Sequence, residues 1–184
     1  MIITITGLPG SGKTTVVKLL AETLHVPWYS IGDLRGKMAK ERGMTIDELN
    51  RIGESEAFTD KEVDEYQTAL GTSNESFVID GRLSWYFIPH SFKLFLDVNP
   101  DTAAMRIFQS SRAGERKDEQ GYFSAEEVKK FIDARVASDV RRYQKYYQVN
   151  FLDQKNYDLV IDTTEKTPEQ VVDEILTRVK HRDR

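Results

Sequence analysis

Lys13 and Thr14 close a stretch, GLPGSGKT at residues 7–14, in which three glycines alternate with small or apolar residues. The spacing of Gly7, four residues, then Gly12-Lys13-Thr14 fits a loop that cradles phosphates. Glycines let successive backbone N–H groups converge on one concavity, and Lys13 adds a mobile positive charge. The Thr14 hydroxyl can ligate Mg²⁺. The candidate contacts to a nucleoside triphosphate are therefore Gly7, Leu8, Pro9, Gly10, Ser11, Gly12, Lys13, Thr14 and Thr15.

Three further groups could do chemistry on a phosphate. Asp80-Gly81-Arg82 follows an apolar run: the acid can hold Mg²⁺ waters, the glycine permits close approach of backbone, and the arginine can fork a phosphate. Ser30, Gly32 and Asp33 precede a helical pattern, which Asp33 is expected to cap and whose N-terminus can accept an anion. Arg135, Ser138, Asp139 and Arg142 fall on one face of a helix. Residues 129–145 carry six cationic and two acidic side chains, of which Arg135 and Arg142 are aligned to meet phosphates. Arg112 and Arg116, in a polar aperiodic stretch at 109–123, add charges that a closing lid could bring in.

The elements that must position these groups alternate. Residues 1–6, 28–31, 77–80, 92–98 and 157–163 read as strands, mostly continuous apolar runs as in parallel sheets covered on both faces. Residues 14–24 read as a helix directly after the loop, aiming its N-terminus at the bound phosphates. Thr45 with Glu48, Thr59 with Glu62 and Ser124 with Glu127 have capping-box spacing, while Asn99-Pro100 and Thr167-Pro168 mark two more helix starts. Three helical segments lie between the second and third strands, more than one crossover needs. The expectation is an α/β domain with a parallel sheet, an inserted helical cap and a basic lid.

Composition narrows the classes. A chain of 184 residues is long enough to bury a substantial core, and its net charge of −4 is not that of a surface built for nucleic acid. There is no cysteine for disulfides or thiolate metal sites, and His25, His90 and His181 lack metal-ligand spacing. No segment approaches the length of a membrane span, and the amino-terminal apolar run is too short for a signal peptide, so a soluble, cytoplasmic chain is expected.

GLPGSGKTT, YSIGD followed by AKERGM, VIDGRL, and RVASDVRRYQKYY before YDLVIDTT together resemble the nucleoside monophosphate kinases, most closely the short cytidylate kinases of archaeal type. The likeness runs nearly end to end. It implies a P-loop kinase fold with a five-stranded parallel sheet, a core of 1–32, 74–108 and 149–184, a monophosphate-binding insertion at 33–73, and a lid with its following helix at 109–148. It further implies ATP at the loop, Mg²⁺ held by Thr14, a pyrimidine monophosphate between the insertion and the third strand, and a monomer. On this likeness Asp33 and Asp80 position Mg²⁺ waters and acceptor, and Ser30, Gly81, Arg82 and Asp139 flank the acceptor. Arg106, Arg112, Arg135 and Arg142 surround the donor and the transition state. The family commonly has an arginine where this chain has Gly36, and Arg35 sits one residue early, roughly 100° around a helix. Either the helix starts differently, or Arg82 and the insertion compensate and Arg35 points away from the site. A nucleotide-dependent switch would need a γ-phosphate-sensing loop, and the Asn-Lys-x-Asp run of guanine recognition is absent. A nucleic-acid end kinase would need a basic groove that the acidic balance argues against.

Overall fold

The computed structural model describes the chain apart from residues 57, 74, 114–121, 123, 183 and 184; for residues 47, 54, 58, 59, 181 and 182 it describes the backbone alone. Five strands form one parallel sheet in the order β2-β3-β1-β4-β5: β1 (Ile2–Gly7), β2 (Trp28–Ser30), β3 (Phe77–Asp80), β4 (Phe92–Asp97) and β5 (Leu159–Asp162). The helices are α1 (Lys13–Leu24), α2 (Ile31–Glu41), α3 (Ile46–Ser55), α4 (Phe58–Gly71), the single-turn α5 (Ser84–Phe87), α6 (Pro100–Arg112), α7 (Ala125–Tyr147) and α8 (Pro168–Arg182).

β1 is buried along its whole length because it lies at the centre of the sheet. Alternate residues serve opposite faces. Ile3 and Ile5, with Val78, Leu94, Leu96 and Ile161, pack against Val16, Val17 and Leu20 of α1 and Val172 and Ile175 of α8. Ile2, Phe77 and Ile79 face the other way, against Ile31 and Met38 of α2, Leu49 of α3 and Val63 of α4. The two threonines of β1 are satisfied inside the sheet region: Thr4 bonds Ser91 at 2.9 Å and Thr6 donates to the Gly81 carbonyl at 2.9 Å. Register then sets the site. Ile5 pairs with Asp80 and Gly7 with Leu96, so the loop after β1 and the acid ending β3 leave the sheet at the same edge.

Helix bounds differ from expectation in three places, two starts and one end. α2 begins at Ile31, straight off β2, and Ser30 rather than Asp33 caps it, its hydroxyl accepting from the Asp33 N–H at 3.2 Å. Burial of Ile31 draws the helix back onto the strand. α4 is already helical at Thr59, so Thr59 is not its cap, and the earlier start puts Asp60 in the first turn. α6 runs on to Arg112, through residues read as aperiodic, with Ser110 bonding back to the Ile107 carbonyl at 3.1 Å. Arg112 thus stands on a helix, and the remainder of the expected lid at 114–121 and 123, with Arg116, lies outside the described residues. The Thr45 capping box, the Asn99-Pro100 start and the Thr167 start are present, and Ser124 caps α7 by accepting from Glu127 N–H.

Candidate active site

The loop between β1 and α1 is shaped by what its glycines leave out. A Cβ on Gly7 would lie 2.2 Å from the Leu96 carbonyl oxygen. Gly10 has a φ of 80°, and a Cβ there would meet Ala103 backbone at 2.7 Å. The loop is therefore packed on β4 and α6 from behind, with the Leu8 N–H bonded to the Leu96 carbonyl and the Ser11 N–H to that of Leu8. Lys13 folds back over it, donating to the carbonyls of Gly7 at 3.0 Å and Leu8 at 2.7 Å.

Beside the loop, Thr14 donates to Asp80 Oδ2 at 3.3 Å. Asp80 is buried, and burial raises its carboxyl above the ordinary range, as does the nearby charge of Asp33, while Lys13, Ser30 and Thr14 pull it down. Thr14, Ser30 and Asp33 thus all lie within reach of Asp80. A hydroxyl and two carboxylates are oxygen donors of the kind a hard cation prefers, and so few of them suit Mg²⁺, which keeps several waters and shares phosphate oxygens. Among the described residues no cluster of three or more acidic or histidine side chains could hold a metal alone. Gly81 serves packing: a Cβ there would lie 2.2 Å from Ser84 Oγ and 2.7 Å from Ile31.

Arg106 is engaged with backbone. Its guanidinium donates to the carbonyls of Thr163 at 2.9 Å, Thr164 at 3.2 Å and Gly10 at 3.4 Å. Thr163 in turn donates to the Ser11 and Asp97 carbonyls. The phosphate loop, α6 and the end of β5 are strapped together by these two side chains.

A buried ionic cluster joins α2, α4 and α7 to Arg82, two residues beyond Asp80. Arg82 Nε meets Asp139 Oδ2 at 2.5 Å, and Asp139 Oδ1 accepts from Arg142 at 2.9 Å. Arg142 Nε lies 3.2 Å from Asp60 Oδ2, and Asp60 Oδ1 accepts from Arg35 at 2.6 Å. The Asn50 carbonyl oxygen bridges Arg35 at 2.9 Å and Arg142 at 3.4 Å. Burial works against the Arg142 charge, but Tyr143, Asp139 and Asp60 around it hold its pKa above the usual arginine value. Arg82 Nη1 is buried without a hydrogen-bond partner among the described residues. Arg35 therefore does not point away. The early start of α2 places it with Ile31, Met38 and Ala39 on the buried face, while Gly36 sits against Ile46. Arg135 is half-buried on α7, two turns before Arg142, and Arg112 is exposed over the Phe108 ring.

Sequence reasoning passed over Asn50, Asp60, Asp64 and Tyr147. Tyr147 donates to Asp64 Oδ2 at 2.5 Å, one helical turn from Asp60 along α4. Burial raises the Asp64 carboxyl to about 7 despite that bond, and the tyrosine hydroxyl is raised as well. The only signal was the four-residue spacing of Asp60 and Asp64, which an exposed face shows equally. Trp85 and Phe87 pack with Tyr143, Tyr147 and Phe151, so these two rings of the 82–90 stretch belong to a core cluster, while Tyr86 stays exposed.

A model of the cytidylate kinase-like family matches residues 2–165. A cytidylate kinase of Methanobrevibacter smithii is 37% identical over 98% of this chain and 99% of its own. That of Archaeoglobus fulgidus is 33% identical over 98% of this chain and 95% of its own. An S-adenosylmethionine-dependent nucleotide dehydratase of Lacinutrix mariniflava is 36% identical over 95% of this chain but 35% of its own length. Among solved structures, shikimate kinase from Aquifex aeolicus superposes with a TM-score of 0.56 at 22% identity, covering 100% of this chain and 98% of that one. At that identity the likeness carries the P-loop kinase fold alone. With a phosphate loop at the central strand, an acid at the neighbouring strand end and a match over nearly the whole length, the chain belongs to the cytidylate kinase-like family.

Proposed function

We propose that this nucleoside monophosphate kinase transfers the γ-phosphoryl group of ATP to CMP or dCMP. One observation carries the reading: a buried cluster of arginines, with Arg82 Nη1 unpartnered, two residues beyond the Asp80 that Thr14 of the phosphate loop touches. That arrangement gives an anion-seeking group on the segment that follows the acid beside the phosphate loop. The relatives named cytidylate kinase, matched over almost all of both chains, support cytosine as the acceptor's base.

In this reading the loop N–H groups and Lys13 hold the β- and γ-phosphates, and Arg82 grips the acceptor phosphate. An acceptor oxygen forms the new P–O bond as the bond to the β–γ bridging oxygen breaks, and ADP leaves with that electron pair. The acceptor oxygen is already anionic, so no general base is needed. Lys13, Arg135 and Arg142, with Arg112 at the end of α6, supply positive charge to the equatorial oxygens. Mg²⁺, held by Thr14 and through waters by Asp80 and Asp33, would neutralise charge between the two outer phosphates. Arg106 steadies the donor side from behind the loop.

A coupled assay with ATP and a panel of CMP, dCMP, UMP, AMP and GMP tests the proposal. The expected result is highest kcat/KM with CMP or dCMP. A tenfold preference for another monophosphate would overturn the base assignment, and ATP turnover unaffected by every acceptor would overturn the kinase reading.

A further inference from the structure

We propose that Asp60 is a positioning residue for the acceptor site: it gives one carboxylate oxygen to Arg35 and the other to Arg142, fixing two guanidinium groups from different parts of the chain in one orientation. This rests on the reading of the cluster as the acceptor-phosphate pocket.

Asp60 lies in the first turn of α4 and is 5% exposed. Its Oδ1 accepts from Arg35 of α2 at 2.6 Å, and its Oδ2 faces Arg142 of α7 at 3.2 Å. Asn50 of α3 repeats the bridge between the same two arginines with its one carbonyl oxygen. Arg142 then passes the orientation to Arg82 through Asp139. Asp60 thus ties α4 and α2 to α7, and Asn50 adds α3 to the same two arginines.

The cluster is not arranged as a saturated structural network. Among the described residues, Arg35, Arg82 and Arg142 form ion pairs with Asp60 and Asp139, and half-buried Asp64 feels the charges of Arg35 and Arg142. Asp60 Oδ2 and Arg142 Nε approach each other without an aligned hydrogen bond, and Arg82 Nη1 has no hydrogen-bond partner among the described residues. A network serving only stability would close these positions, because unmet polar groups in a low-dielectric interior are costly. The unmet donors Arg82 Nη1 and Arg142 Nε are what an anionic ligand would complete. Asp60 holds Arg142 by charge without consuming its hydrogen-bonding capacity at Nε.

Asp60→Asn separates the roles, because an amide has one acceptor oxygen and one donor nitrogen. If the amide oxygen keeps the Arg35 bond, an uncharged NH₂ donor stands against Arg142 Nε in place of a carboxylate oxygen. The reverse turn sets it against Arg35, so one guanidinium loses its charge partner either way. The acceptor used is whichever monophosphate the wild-type enzyme phosphorylates best, so an error in the proposed base leaves this test intact. The expected result is a rise of tenfold or more in KM for that monophosphate and a fall in kcat, since Arg142 also serves the transferred group, with KM for ATP within twofold of wild type. A mutant cycle on kcat/KM with Arg142→Lys completes the test. If Asp60 acts through Arg142, the double variant is no worse than the weaker single variant. Thermal melting identifies the folded fraction. Unchanged KM values in a folded but less stable Asp60→Asn, or additive losses in the cycle, would overturn the proposal.

Discussion

Lys13 is held by two carbonyls of its own loop, so it is oriented before any phosphate arrives. Lys13→Ala should leave the fold intact, checked by circular dichroism, and lower single-turnover rates at least a hundredfold, roughly 3 kcal/mol of charge stabilisation. Wild-type turnover in a folded variant would remove the lysine from the chemistry. Arg82 and Arg35 should fail in different ways. Arg82→Ala removes charge-assisted bonds of about 1.5–3 kcal/mol, so kcat/KM for the monophosphate should fall roughly ten- to 150-fold with KM for ATP unchanged. Arg35→Ala strips a partner from buried Asp60, and breaking a buried pair on one side costs about 3–5 kcal/mol. Its main signature should be a lowered Tm. An Arg35→Ala variant as stable as wild type would mean that the Asp60 pair adds nothing to the fold.

At the level of elements, Arg106 joins the phosphate loop to the turn after β5 through three carbonyls. Arg106→Lys should fail to rescue Arg106→Ala, because an ammonium cannot span the fork a planar guanidinium makes. Both variants should raise KM for ATP several-fold and leave KM for the acceptor unaffected; an effect confined to the acceptor would contradict the strap. The strands and the loop were legible because apolar runs and glycine spacing are local signals. The start of α2 was not, because Ser30 and Asp33 are equally good caps and only the burial of Ile31 decides between them. That choice in turn decides where Arg35 points. The acidic face of α4 was illegible for a different reason. DKEVDEY has the pattern of a solvated helix, and what buries Asp60 and half-buries Asp64 is α7, some eighty residues further along the chain.

For the molecule as a whole, the joint between α4 and α7 makes stability depend on pH. Asp64 releases its proton near 3.8 when unfolded but only at about 7 when folded, chiefly because it is buried. The folded state therefore binds more protons between these values, so stability falls as pH rises from about 4 to 7 and is level above that. Asp64→Asn, which can still accept from Tyr147, should raise stability above neutrality. Allowing for solvent screening of a half-buried group, the gain is about 1–2 kcal/mol, a few degrees in Tm. The gain should shrink at pH 5, and an equal gain at pH 5 and pH 8 would refute the titration. The strand order has a consequence during synthesis. β1 is made before both of its partners, Phe77–Asp80 on one side and Phe92–Leu96 on the other. Until Phe77 has been added, the phosphate loop hangs from a strand with no neighbour. Nucleotide can stabilise only a chain that already has its site, so it can assist the later steps of folding and none of the earliest.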